Sequence, residues 1–254
     1  MFPYRDELRT LRTPHITIGL IAANVLVWVL VQGAGEPQQL MQSVCDLGLI
    51  PGELTGAVQA GTSFPLGGGY ACVTEAGRHA SHLLTSMFLH GSWVHLLGNM
   101  WFLWLFGKNV EDAMTRPRFL AFYLLGGLAA AAAQVAASPS SGIPMVGASG
   151  AIGAVMGGYL ILYPKVRVYA LVPLGSFITS LSLPAWSMLL YWAGLQLLSG
   201  VASVGDASGA GVAFWAHVGG FTAGIILVKA FVEPDRIAAR LDAERWRPNR
   251  VLFQ

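Results

Sequence analysis

The stretch Met145-Val-Gly-Ala-Ser-Gly-Ala-Ile152 places a serine among small residues at the start of a long apolar run. A break rich in Pro, Ser and Gly over 138–144 precedes it. Polar side chains inside a membrane span are costly and usually functional, so a hydroxyl at this position needs an explanation. We interpret Ser149 as a candidate nucleophile. The alternative is a small residue at a helix contact.

The composition is that of a membrane protein. Of the 254 residues, 54% are hydrophobic and only 11% are charged, with a mean hydropathy of +0.58. Soluble domains carry about 25% charged residues, so this chain lacks the charge to cover a water-facing surface. The net charge of +2 and the lack of a basic stripe with interleaved aromatic residues argue against a nucleic-acid partner.

Six apolar runs predict an all-α polytopic membrane protein, a bundle of six transmembrane helices. The runs cover 16–31, 93–106, 119–137, 146–163, 184–198 and 212–231. The first run could be the core of a signal peptide. It is slightly long for that, and Gly33-Ala34-Gly35 is a weak cleavage site, so a membrane helix is favoured. The moderately apolar residues 166–182 are expected at the membrane interface.

The basic residues predict the orientation of the bundle. With a cytoplasmic N-terminus, 14 of the 15 Lys and Arg residues fall on the cytoplasmic side, and only Arg78 falls outside. The positive-inside rule therefore favours an N-in/C-in arrangement. The predicted parts are a cytoplasmic tail (1–15) and a six-span core (16–232) with a long outer insertion (33–92). A charged cytoplasmic tail (233–250) and a remnant of a purification-protease site (251–254) follow. The second tail either caps the last helix or binds the inner membrane surface.

Both cysteines, Cys45 and Cys72, fall in the outer insertion. A reduced, unpaired pair is the simpler interpretation. A disulfide becomes plausible if the insertion faces an oxidising compartment. The spacing does not choose between them.

Five polar side chains are predicted to lie near the outer membrane face, at one depth. The spans contain no Asp or Glu. The polar groups that remain inside or at the outer rim are His90, His95, Asn99, Ser149 and His217, with Asn24 and Gln134 less informative. His217 lies about five residues into the sixth run, roughly 8 Å below the outer edge at 1.5 Å per residue. Gly153 and Gly157 on the fourth run, and Gly220 and Gly224 on the sixth, have the four-residue spacing that lets helices pack closely.

These residues suggest a Ser–His dyad. His217 would take the proton of Ser149 as general base and return it to the leaving amine. The oxyanion donors would be His90, Asn99 and the backbone N–H of Ser149 at its helix N-terminus. Structural hydrogen bonding between helices is an equal alternative for His95. A zinc site made by the three histidines is a rival chemistry, but no carboxylate in any span could serve as its base.

The motifs resemble those of the rhomboid family of intramembrane serine proteases. The matching residues are Gly147-Ala-Ser149-Gly150, Ala216-His217-Val-Gly219-Gly220, and His90, His95 and Asn99 in the second-span pattern; Leu47-Gly-Leu-Ile-Pro51 is also similar. The resemblance covers roughly 16–232. It implies a six-helix core with Ser149 as nucleophile and His217 as base, and with Gly147, Gly150, His95 and Gly220 as supporting residues. It implies no metal or other cofactor. The partners would be single transmembrane helices in the lipid bilayer, cut near the outer face, usually after a small residue.

Two departures from the family pattern stand out. Many members carry an aromatic residue that supports the histidine where this chain has Gly153, so Trp215 or a neighbour would have to take that role. The insertion also lacks a Trp-Arg pair that is often found there. The resemblance otherwise indicates the compact bacterial form, in the bacterial inner membrane. A catalytically silent relative that binds membrane clients is the second hypothesis, but silent relatives usually lose the serine or the histidine.

The fifth span faces the active site in this family and is a proposed substrate gate. Here that span carries Trp186 and Trp192. Shrinking Trp192 is expected to raise activity if its ring packs against the second span, and to change nothing if the ring faces lipid.

Overall fold

A computed structural model describes residues 2–75, 77, 79–175, 177–203 and 212–245. Residues 204–211 and the chain end over 246–254, including the predicted purification remnant, lie outside these ranges. The helices and strands follow the order β1 (Phe2–Asp6), α1 (His15–Leu30), α2 (Pro37–Leu47), α3 (Pro51–Thr55), β2 (Ser63–Gly67), β3 (Tyr70–Val73), α4 (His82–Thr85), α5 (Trp93–Phe102), α6 (Lys108–Asp112), α7 (Arg116–Ala137), α8 (Ser149–Leu162), β4 (Arg167–Leu174), β5 (Phe177–Pro184), α9 (Ala185–Ala202), α10 (Phe214–Phe231) and α11 (Pro234–Arg245).

A helix occupies each of the six predicted apolar runs. Within the described ranges, α7 and α10 are long and apolar enough, by length and composition, to cross a membrane. The helices α1 and α8 are apolar but shorter. The count of six spans and the N-in/C-in orientation therefore stay predictions.

The second apolar run is longer than predicted. A π-helical turn, Leu103–Gly107, joins α5 to α6, so the helix continues through Gly107 and ends at Asp112 rather than at Phe106. The acidic last turn is tolerated because its carboxylates are satisfied: Glu111 accepts hydrogen bonds from the N–H groups of Ile16 and Thr17, at 2.9 and 2.8 Å. Glu111 thereby caps the start of α1.

The all-α expectation is wrong in part, because the chain also forms two small antiparallel sheets. The segment expected at the interface folds into the hairpin β4–β5, and β1 from the predicted tail adds a third strand beside β4. Buried residues alternate along β4, where Val168 and Ala170 are both fully buried. This two-residue spacing is the period of a half-buried strand. Average hydropathy did not reveal this alternation.

The second sheet, β2–β3, lies in the insertion and carries the disulfide. Cys45 on α2 and Cys72 on β3 are bonded to each other. The expectation of two reduced cysteines is therefore wrong. The pairing links α2 to the hairpin.

Glycines bring α8 and α10 together, as their spacing predicts. A Cβ atom added to Gly157 would overlap the carbonyl oxygen of Phe221, and one added to Gly220 would overlap the carbonyl oxygen of Gly150. The two helices thus pack backbone to backbone. Gly150 also faces Ala130 of α7, 2.6 Å from where its Cβ would stand. Three helices thereby meet around Ser149.

The charged helix α11 caps the bundle. Its Arg240 is 95% buried. Its guanidinium donates to the side-chain oxygen of Asn109 at 2.9 Å and to the hydroxyl of Tyr163 at 2.7 Å. These contacts of Arg240 favour the first of the two roles predicted for this tail, which is to cap the last helix.

Candidate active site

Ser149 is the first residue of α8, and Gly147 makes the turn that presents it. Gly147 has a φ of +124°, which disfavours any side chain, and its N–H donates to the carbonyl of Ser86 at 2.9 Å. A Cβ atom on Gly147 would stand 2.8 Å from the His95 ring. Glycine is therefore required here by both conformation and space.

His217 meets Ser149 from α10. The Oγ of Ser149 lies 2.7 Å from Nε2 of His217, a hydrogen bond between residues 68 apart in the chain. Gln134 of α7 fixes the start of α10, because its Oε1 accepts from the N–H of Ala216 at 3.2 Å. The predicted dyad residues are thus brought into contact.

Gly153 is explained by the same close approach. A Cβ atom there would lie 3.1 Å from the carbonyl oxygen of His217 and 3.3 Å from the N–H nitrogen of Phe221. A side chain at this position would need the backbone of α10 to shift by a few tenths of an ångström. The support of the His217 ring must come from another helix.

That support comes from α9. The Nδ1 atom of His217 lies 2.7 Å from Oε1 of Gln196, and the ring of Trp192 lies 5.9 Å from the His217 ring, centroid to centroid. Trp192 also packs against Phe221 of α10, an arrangement that neither alternative for this residue describes. Trp215, expected beside the histidine, instead lies against Gly200.

Sequence reasoning missed Gln196. A signal existed, because Gln196 is a long amide side chain in the middle of an apolar helix, where a polar group is costly unless it is hydrogen-bonded. The sequence does not say which neighbouring helix such a group faces.

The predicted oxyanion donors are buried and have hydrogen-bonding capacity to spare. Asn99 is 8% exposed and His90 fully buried. Among the described residues, no hydrogen-bond partner is found for the side-chain nitrogen of Asn99, whereas the His90 ring interacts with the backbone of Phe88. Buried donors without partners are costly and mark functional positions.

The backbone of His90 is fixed by Gln32, which the sequence analysis did not single out. Gln32 donates from Nε2 to the carbonyl of His90, and its Oε1 accepts from the N–H of His90, both at 2.8 Å. Gln32 is fully buried just after α1. An amide side chain at the end of an apolar run was the available signal.

His95 lies between His90 and Gly147 and has a packing role. Its ring meets the His90 ring edge-on, with centroids 5.1 Å apart, and its Nδ1 accepts from the N–H of Gly91 at 3.3 Å. It therefore supports the turn that carries His90.

The rival zinc site has no ligand set in the part of the chain that the structure describes. Within these ranges, no three His, Cys, Asp or Glu side chains lie close enough to hold a metal ion together. The geometry instead favours chemistry by serine and histidine.

Comparisons with known proteins agree with the motifs. The family profile described as the Rhomboid domain matches residues 77–234. The chain is similar to "Presenilin-associated rhomboid-like protein A, mitochondrial" of Danio rerio, with 32% identity over 37% of this chain and 26% of that protein. It is also similar to "RHOMBOID-like protein 12, mitochondrial" of Arabidopsis thaliana, with 29% identity over 54% of this chain and 46% of that protein. The matched parts are thus a quarter to a half of these relatives' lengths.

Proposed function

Since this chain belongs to the rhomboid family and is therefore an integral membrane protein, we propose that it is an intramembrane serine endopeptidase. Its nucleophile is Ser149 and its general base is His217. The observation that carries the proposal is the 2.7 Å hydrogen bond between Ser149 Oγ and His217 Nε2. A serine is a weak nucleophile until a base placed within hydrogen-bond reach accepts its proton.

The reaction runs through an acyl-enzyme. The Oγ of Ser149 attacks the peptide carbonyl carbon while its proton passes to Nε2 of His217. The tetrahedral intermediate collapses, the C–N bond breaks, and His217 gives that proton to the leaving amine. Water then loses a proton to His217 and attacks the ester, and the same proton returns to Ser149 as the acid product leaves.

The oxyanion is stabilised by donors fixed before the reaction. Asn99 Nδ2, a ring nitrogen of His90 and the N–H of Ser149 take this role, and Asn99 Nδ2 has no competing hydrogen-bond partner among the described residues. Gln32 and His95 hold the backbone and ring of His90 in place. Fixed donors in a dry site are typically the largest single contribution to acyl-transfer catalysis.

The substrates are single transmembrane helices cut after a small residue. A small cavity beside Ser149 is lined mainly by glycine and alanine, with Gly127, Ala130 and Ala131 from α7 and the Met87 side chain. A bulky side chain would not fit there. The substrate helix must unwind locally to expose its peptide bond, because helical carbonyls are hydrogen-bonded within the segment.

The number of membrane spans and their orientation are part of the same proposal. Six spans in an N-in/C-in arrangement place Ser149 near the outer membrane face, and the basic residues support that orientation. Location in a bacterial inner membrane stays a prediction, since the relatives named above are mitochondrial by name.

The test is cleavage in proteoliposomes. A reporter with one transmembrane helix, a small residue near its outer end and helix-weakening residues beyond it is reconstituted with the protein or with Ser149→Ala. We expect cleavage by the protein alone, unaffected by a zinc chelator. Cleavage by Ser149→Ala contradicts the proposal. Loss of cleavage by the unaltered protein when the chelator is added contradicts it as well. Co-purification of an uncut reporter with both proteins would favour the silent client-binding alternative.

A further inference from the structure

The His217 ring is hydrogen-bonded at both nitrogens, and the second bond has no part in the dyad. Nε2 faces Ser149 and Nδ1 faces Oε1 of Gln196, each at 2.7 Å. Because Gln196 lies on α9, three different helices contribute to one line of hydrogen bonds: Ser149 from α8, His217 from α10 and Gln196 from α9.

We infer that Gln196 is a positioning residue that holds His217 in the one tautomer able to accept the Ser149 proton. The inference rests on the proposed function above. It adds a third, neutral member to what the sequence predicts as a dyad, since the spans supply no carboxylate for that place.

The chemistry follows from the donor and acceptor inventory. A neutral imidazole carries one N–H, and its other nitrogen is an acceptor. The carbonyl oxygen of Gln196 can only accept, so the hydrogen at this contact belongs to Nδ1 of His217. Nε2 is then the unprotonated nitrogen and accepts from Ser149 Oγ. Without a partner at Nδ1, the imidazole could carry its hydrogen on Nε2, and that form cannot act as base.

The side chains that hold the His217 ring in place come from α9. Gly153 gives no side chain on the α8 side of the histidine. Trp192, one helical turn before Gln196, covers the His217 ring and also packs against Phe221. The amide and the indole, both from α9, therefore restrain the ring's rotation together.

A purely structural hydrogen bond between helices is the alternative for Gln196. Such a bond would stabilise the α9–α10 contact whatever the protonation of the ring. A positioning bond also changes the rate of proton transfer and its dependence on pH. The two roles are therefore separated by kinetics and not by stability alone.

Three variants make the test: Gln196→Leu, Gln196→Glu, and Leu197→Ala as a control at an exposed neighbouring position on α9. For Gln196→Leu we expect kcat to fall about 10- to 100-fold, a part of the roughly 100- to 10,000-fold that a positioned general base contributes. KM should change little, and the melting temperature should fall somewhat, because Nδ1 of His217 loses its buried partner. Leu197→Ala should match the unaltered protein in all three.

Gln196→Glu keeps the acceptor and adds a charge. A carboxylate stabilises the doubly protonated imidazole, so the acid limb of the pH–rate profile should move to higher pH while alkaline activity is kept. This variant decides the matter if Gln196→Leu does not fold. An unmoved acid limb in folded Gln196→Glu, or full kcat in folded Gln196→Leu, overturns the inference. Inactivity of the unaltered protein overturns the proposed function instead.

Discussion

Gly224 of α10 lies directly against the carbonyl oxygen of Ala154 on α8, so the two helices that carry the dyad touch backbone to backbone. This contact lies two helical turns from His217. It belongs to the same row as Gly220 against Gly150 and Gly157 against Phe221. The short Ser149–His217 distance depends on that row, because side chains in the contact would push the helices apart.

Gly224→Ala is expected to destabilise the protein by about 1–3 kcal/mol, the usual cost of overpacking, and to lower activity by separating the dyad. The measurement is the melting temperature in detergent together with the cleavage rate. Gly194→Ala is the matched control, because a Cβ atom there meets nothing within 4 Å. Alanine favours helix over glycine by up to about 1 kcal/mol, so the control should be as stable or more stable. Equal behaviour of the two variants would contradict the packing argument.

Asn99→Ala tests the oxyanion donors. Removing one such donor costs about 2.7–4 kcal/mol in the barrier, so kcat should fall roughly 100- to 1,000-fold. Stability should hold or rise, because the variant removes a buried side-chain nitrogen for which the described residues offer no partner. Asn24→Ala is a suitable control, since Asn24 is fully buried on α1 and its side-chain nitrogen bonds within that helix. If Asn24→Ala loses activity and Asn99→Ala keeps it, Asn99 is not part of the active site.

The disulfide should contribute stability without contributing to catalysis. Cys45 and Cys72 are 27 residues apart, and closing a loop of that size is worth about 3.5 kcal/mol in the chain-entropy account. Replacing both with alanine should lower the melting temperature and leave the cleavage rate near its original value at a temperature where the variant is folded. Non-reducing electrophoresis should show a mobility shift on reduction of the unaltered protein and none for the double variant. A rate loss in the folded variant would link the insertion to catalysis.

Asp6 should make stability depend on pH. Burial raises the pKa of Asp6 above its ordinary value of 3.8, although the hydrogen bond from Tyr159 and the charges of Lys108 and Arg240 act in the opposite direction. A raised pKa means that the folded state holds the proton more tightly than the unfolded state. The stabilising contribution is therefore complete below pH 3.8 and is lost as the pH rises through the raised value.

The corresponding measurement compares Asp6→Asn with the unaltered protein by thermal unfolding between pH 3.5 and pH 7, roughly the range that a raised carboxyl pKa covers. The difference in stability should shift in favour of Asp6→Asn as the pH rises. A difference that moves the other way would mean that the pKa of Asp6 is lowered on folding.

Much of this site could be predicted from residue spacing. The four-residue spacing of Gly220 and Gly224 encodes a helix face without side chains, and such a face predicts close packing in lipid. The pairing of Ser149 with His217 followed from two polar groups at one predicted depth. These inferences need only the period of a helix and the length of a span.

Other features depend on relations that a linear pattern does not contain. Gln196 reaches His217 because α9 is rotated about its axis so that this side chain faces α10. The sequence of an apolar helix with few polar side chains does not specify that rotation. The strand alternation at Val168 and Ala170 was hidden in a segment of middling hydropathy. The pairing of Cys45 with Cys72 depends on how the insertion folds, which their spacing leaves open.

The most direct test of the central claim is labelling by a fluorophosphonate probe, which reacts only with an activated serine. The unaltered protein in detergent should be labelled, and labelling should disappear in Ser149→Ala and drop strongly in His217→Ala, each checked for folding by its melting temperature. Equal labelling of the protein and of folded Ser149→Ala would contradict the claim that Ser149 is the nucleophile.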